Sequence, residues 1–149
     1  MKKIFAFAII AVAAGVAVGC CPCRFARKNA KPFSGTEWHL VQIAGRDVHF
    51  AENTFNVTFG DDGKLTGIGA CNRFSAQYKA TAKEGLEIGT IAASRMYCPD
   101  LDTEQAMFTE LDCATHYEIS GSMLFILNNG EIRAIFSAVG SDDAQKIKR

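Results

Sequence analysis

The sequence predicts a mainly β domain of α+β character: a strongly curved antiparallel sheet or partial barrel with one packed α-helix. Three observations carry this expectation. Phe55, Val57 and Phe59 alternate with Asn56 and Thr58, the two-residue period of a strand with one buried face. Turn pairs recur between apolar runs, at Asp62-Gly63, Glu84-Gly85 and Asn129-Gly130, and such pairs suit hairpins because they tolerate positive φ. One stretch alone, around Met107, Phe108, Leu111 and Ala114 or Thr115, repeats its apolar residues at helical spacing.

In chain order, the first segment is a leader. Lys2 and Lys3 precede an apolar run from Ile4 to Val18, and Ala17-Val18-Gly19 sets small residues before Cys20, which reads as a bacterial lipoprotein signal. As a helix the run would measure about 22 Å, short of the roughly 30 Å of a bilayer core, so it is expected to be a removed signal and not a retained span. Residues 1–19 are then the signal, and Cys20 becomes the lipidated first residue of a protein held on the outer membrane and facing the periplasm. The alternative is ordinary cleavage near Gly19, which releases a soluble protein. Cys21 and Cys23 could bind metal or form disulfides, but Pro22 and the short spacing make a poor redox pair.

Charge divides the remainder. The whole chain carries 16 basic and 16 acidic residues. Residues 20–31 hold Arg24, Arg27, Lys28 and Lys31 with no acid, a basic tether that anionic headgroups attract or that simply stays solvated. From Pro32 onward, 10 basic residues face 16 acidic ones, which argues against nucleic acid as a partner. Residues 32–139 suffice for one core, and residues 140–149 read as a polar tail.

Within that domain, Thr36 to Ile43 reads as a first strand, and Phe55 to Phe59 as a second. A type I′ turn at Asp62-Gly63 returns the chain through Leu65 to Gly69. Met123 to Leu127 is apolar throughout and reads as a central strand covered on both faces, paired through Asn129-Gly130 with Ile132 to Ala138. Asp102 and Gln105 form a plausible capping box for a helix ending near Thr115. The expected core is Trp38, Phe55, Val57, Phe59, Phe108, Leu111, Leu124, Ile126 and Phe136, with Cys113 as a small buried hydrophobe.

Two stretches carry a family resemblance: Gly67-Ile68-Gly69-Ala70-Cys71-Asn72-Arg73-Phe74-Ser75-Ala76-Gln77-Tyr78, and Ala93-Ser94-Arg95-Met96-Tyr97-Cys98-Pro99 followed by Glu104. Together with Trp38-x-Leu40 and the turn Gly60-Asp61-Asp62-Gly63, they resemble the META domain family, the HslJ-like heat-shock lipoproteins, over about Phe33 to Phe136. Ala70 and Ala76 stand where many members have glycine. The resemblance implies a β-rich fold with one helix, an envelope role linked to heat-shock response and novobiocin tolerance, and no established enzymatic activity.

Cys71 and Cys98 are the obvious pair in an exported domain, either bridged or present as two buried thiols. A bridge would bring Asn72, Arg73 and Arg95 together. These three form an anion- or peptide-binding patch, or they satisfy loop carbonyls and pair with Glu104.

Catalytic motifs are weak. His39, His49 and His116 lie outside any recognised nucleophile or zinc pattern, Cys113-x-x-His116 is a half-site, and Ser75 and Ser94 lack a G-x-S-x-G setting. No catalytic residue, metal or cofactor is therefore expected. The expectation is a non-enzymatic lipoprotein whose partners are the membrane, through the lipid on Cys20, and an envelope protein or small ligand. Its rivals are an inhibitor or pilot module and, further off, a thiol-dependent enzyme using Cys98 or Cys71.

Overall fold

A computed structural model describes residues 30–51 and 53–140. The expected signal, Cys20, Cys21, Cys23, most of the expected basic tether and the expected polar tail from residue 141 lie outside the described residues. No helix among the described residues is long and apolar enough to cross a membrane.

The described chain is mainly β with one helix. The strands are β1 (Glu37–Ile43), β2 (Arg46–Asp47), β3 (Asn56–Phe59), β4 (Lys64–Ile68), β5 (Arg73–Ala80), β6 (Leu86–Ile88) and β7 (Ala92–Ala93). Helix α1 (Leu101–Asp112) follows, then β8 (His116–Ser120), β9 (Met123–Asn128) and β10 (Glu131–Ala138). All pair antiparallel in the order β6-β5-β4-β3-β1-β10-β9-β8, with β2 on β1 and β7 on β5. The sheet is not closed. Its two ends touch at an isolated bridge between Gly85 and His116, flanked by the Leu86 N–H to Thr115 C=O and Tyr117 N–H to Glu84 C=O bonds, both 2.9 Å.

Alternation along the strands sets the core. Trp38 and Leu40 of β1, Val57 and Phe59 of β3, Leu65 of β4, Leu124 and Ile126 of β9 and Phe136 of β10 are fully buried, and Met107 and Leu111 of α1 cover them. Each such side chain contributes about 1.5–3 kcal/mol by leaving water. Of the nine expected core residues, Phe108 alone is only partly buried: it lies beside the Met107 and Leu111 stripe and meets Phe74 edge-on, with centroids 4.9 Å apart. β9 does sit between two strands, but Met123 and Phe125 on its outer face are half-buried, so that face is not fully covered.

The turns follow their chemistry with two corrections. Asn129 and Gly130 both have positive φ, 50° and 87°, as a type I′ hairpin requires. At 60–64 only Gly63 does, at 76°, and the Gly63 N–H donates to the Gly60 C=O at 3.1 Å. That is a three-residue loop ending in a left-handed residue, not the expected type I′ turn. Glu84 fills the same role in the loop from Thr81 to Gly85, with φ 63°.

Carboxylates as well as apolar contacts hold the helix. Its N-cap is Asp100, which makes no side-chain capping bond, so the expected Asp102 box is not formed; Asp102 instead lies in the first turn, where it complements the helix dipole. Buried Glu110 forms a two-pronged ion pair with Arg133 of β10, both bonds 2.8 Å, and this raises the pKa of the guanidinium. Cys113, expected to be buried, is exposed at the C-cap. Two residues beyond Leu111 is about 200° around the helix, so it faces away from the core.

Candidate functional site

The corner between β4 and β5 is built around an inward carboxylate. Glu104, from the first turn of α1, is 1% exposed. Its Oε2 accepts the backbone N–H groups of Ala70, Cys71 and Asn72 at 2.8, 3.4 and 3.2 Å, and its Oε1 accepts Asn72 Nδ2 at 2.7 Å. Successive N–H groups turned to one point form a nest that suits an anion, and here the protein fills the nest with its own side chain. Gly69 makes the approach possible, because a Cβ at that position would lie 2.6 Å from Glu104 Cγ and 2.7 Å from Cδ.

Asn72 carries the brace across to the next segment. Its side chain is buried, and its Oδ1 accepts the Met96 N–H at 2.7 Å and the Ser94 hydroxyl at 2.9 Å. Its Nδ2 also donates to the Met96 C=O at 3.1 Å. A side-chain amide that both accepts from and donates to one residue's backbone imitates a peptide group of a neighbouring strand. Cys71 and Cys98 complete the corner as a disulfide, with Cα atoms 6.3 Å apart, inside the usual span.

Of the three polar residues read from the sequence, the fold turns Asn72 inward and leaves Arg73 and Arg95 exposed. The expected pairing of arginine with Glu104 does not occur: Asn72 and three backbone N–H groups meet that carboxylate, and no cation forms an ion pair with it among the described residues. Met96 is 55% and Tyr97 93% exposed, the largest apolar surface on this corner. A depression of about 370 Å³ opens between Ser94, Met96 and Tyr97 on one side and Leu101 and Gln105 of α1 on the other.

Nothing in the sequence alone groups Glu104, Gly69 and the outward Tyr97 as a unit. The available signal is Gly67-x-Gly69, in β4 and just past its end: Gly67 makes way for the Asn56 carbonyl and the Phe74 ring, and Gly69 for the Glu104 carboxylate.

The family model described as META domain matches residues 31–140. Among solved structures, the chain is similar to a DUF4847 family protein from Bacteroides vulgatus, at 18% identity and TM-score 0.59, over 74% of this chain and 96% of that one. It is similar as well to a protein from Burkholderia xenovorans, at 18% identity and TM-score 0.59, over 89% and 100% of the two chains. A third structure, solved by NMR, has 21% identity and TM-score 0.57, over 70% and 90%. At these identities the likeness is one of fold. No curated protein matches the chain.

Proposed function

Because the chain belongs to the META domain family, we propose that it works as a non-enzymatic binding module of the bacterial envelope, tethered through a lipid on Cys20. The observation that carries this reading is the exposure of Met96 and Tyr97 on a segment that a disulfide, Asn72 and Glu104 hold fixed. Large apolar side chains displayed on a braced backbone suit recognition, because little ordering entropy is lost when a partner docks. The same geometry weighs against the thiol-enzyme reading: Cys71 and Cys98 are bonded to each other, and both Glu104 oxygens are occupied by donors. The partial-barrel curvature belongs to this reading too, supported by the bridge between Gly85 and His116 at the two ends of the sheet.

Two experiments test it. Metabolic labelling with a palmitate analogue should mark the wild type and miss Cys20→Ala; equal labelling of both removes the tether. A photo-crosslinker placed at Tyr97 in the full-length protein in cells should give a discrete adduct that the same probe at exposed Glu118 does not. Identical patterns from the two positions would defeat the binding reading.

A further inference from the structure

The braced segment is an open sheet edge. β6 and β7 run along the same strand, β5, with Tyr78 opposite Ile88 but Ser75 opposite Ala92, so the register moves by one residue between them. They are one edge strand broken by a bulge. Its first half is covered where Gly85 and Leu86 meet β8. Beyond the bulge the cover ends, and residues 92–97 are all exposed.

The hydrogen bonds fix which backbone groups are free. Ser94 N–H donates to the Arg73 C=O at 3.0 Å, so Ala92 and Ser94 face β5, and by the alternation of an antiparallel ladder the N–H and C=O of Ala93 point away from it. Met96 faces inward again, where the Asn72 amide takes the place of a strand. The Asn72 side chain therefore prolongs the ladder by one rung, and residues 92–96 form an edge whose outward groups, at Ala93 and Arg95, meet nothing among the described residues.

Protein edges are blunted by shortness, a bulge, lysine, proline or an inward charge; here the bulge precedes residue 92, and the Asn72 side chain lengthens the two-residue β7 beyond it. This one carries Ala92, Ala93 and Ser94, small side chains that let another backbone come close.

We infer that residues 92–96 accept an extended segment of another protein as an added strand, and that this segment is acidic with one large apolar side chain. The inference rests on the binding-module reading and gives it a mode. Charge selects the partner: from Pro32 onward the chain has 10 basic and 16 acidic residues, yet Arg73 and Arg95 stand exposed beside the edge and form no ion pair among the described residues. The nearby carboxylates of Asp100 and Asp102 lie at the start of α1, where they serve its dipole. The depression next to Met96, Tyr97 and Leu101 has room for the apolar side chain. Main-chain bonds would supply affinity and these two features the selectivity.

The probe is a synthetic peptide, Thr-Glu-Val-Phe-Thr-Glu-Val, titrated against the mature chain with its disulfide intact and followed by backbone amide shifts and exchange. The Ala93 and Arg95 amides should shift and become protected. Replacing both glutamates by lysine should weaken binding about tenfold, the scale of a charge-assisted contact. N-methylation of every internal peptide amide should abolish it. Ala93→Pro removes an N–H the fold does not use and should end binding, whereas Ala93→Val, which keeps it, should not. Unchanged binding of the N-methylated peptide, or Ala93 exchange that no peptide slows, overturns strand addition. The in-cell crosslink at Tyr97 separates the two readings: an adduct that survives Ala93→Pro keeps the binding module and removes this mode, while loss of the adduct with Ala93→Pro but not with Ala93→Val supports it.

Discussion

Replacing Glu104 by glutamine tests the corner with a change of one atom. Both carboxylate oxygens accept and neither donates: Oε2 receives three backbone N–H groups and Oε1 the Asn72 amide. A glutamine must therefore point its own NH₂ at a donor whichever way it turns. The cheaper orientation sets the NH₂ against Asn72 Nδ2, which keeps its bond to the Met96 C=O. That loses one charge-assisted bond, about 1.5–3 kcal/mol, and converts three others to bonds with a neutral acceptor. A total near 2–4 kcal/mol follows, against roughly 5–15 kcal/mol for a domain of this size. Thermal melts of the oxidised protein should drop by about 10–20 °C. Glu118→Gln, on the exposed side of β8, is the matched control and should stay within about 0.5 kcal/mol of the wild type. A Glu104→Gln protein melting within about 2 °C of the parent would show that the nest does not depend on the charge.

Loss of either Cys71 or Cys98, which are separated by 27 residues, should cost about 3–4 kcal/mol in the chain-entropy account; coincident melts with and without reductant would refute this, and mass spectrometry of non-reduced peptides checks the link. Phe136→Ala empties a site with no exposure and should cost about 3–5 kcal/mol by urea unfolding, with an unchanged midpoint contradicting the assigned strand face. Cys113 should alkylate in the folded protein while Cys71 and Cys98 do not, as peptide mapping would show. Burial and, after it, Glu84 and Tyr78 raise the Tyr117 pKa above 10.0. The unfolded chain then loses that proton first, so stability should be full below pH 10 and decline as pH rises through the folded value, and Tyr117→Phe should flatten the decline.

Local pattern made the strands legible. Val57 and Phe59 are buried as their alternation demands, and Asn129-Gly130 adopts the turn its chemistry favours; Phe55 is buried too, but from just before β3 with φ 52°, and Asn56, expected to face outward, is buried beside it. The turn at Asp62-Gly63 was legible as a hairpin but not in type, since Asp62 had no need of the left-handed conformation once Gly63 supplied it. β2 and β7 are two residues each, too short for any period to register. The site was legible in its parts. Cys71, Cys98 and Asn72 stand out by residue type, but Glu104 reads in sequence as a surface acid awaiting arginine. Its donors are backbone N–H groups 32 to 34 residues away, which leave no trace in residue identity.

The arm before β1 has a mechanical consequence. Phe33 stacks on Phe59 at 4.3 Å and on Tyr117 at 4.0 Å, so one ring is gripped by β3 and by β8. Lys31 N–H bonds the Gly121 C=O between β8 and β9, while Gly35 N–H bonds the Phe59 C=O of β3. A pull delivered through the N-terminal segment is thus shared between the two halves of the sheet. To yield, the arm must withdraw an aromatic ring from between two others and slide along β3, against which Ser34 lies parallel. Along β3 the load acts as shear, the direction in which strand contacts resist together instead of parting one at a time.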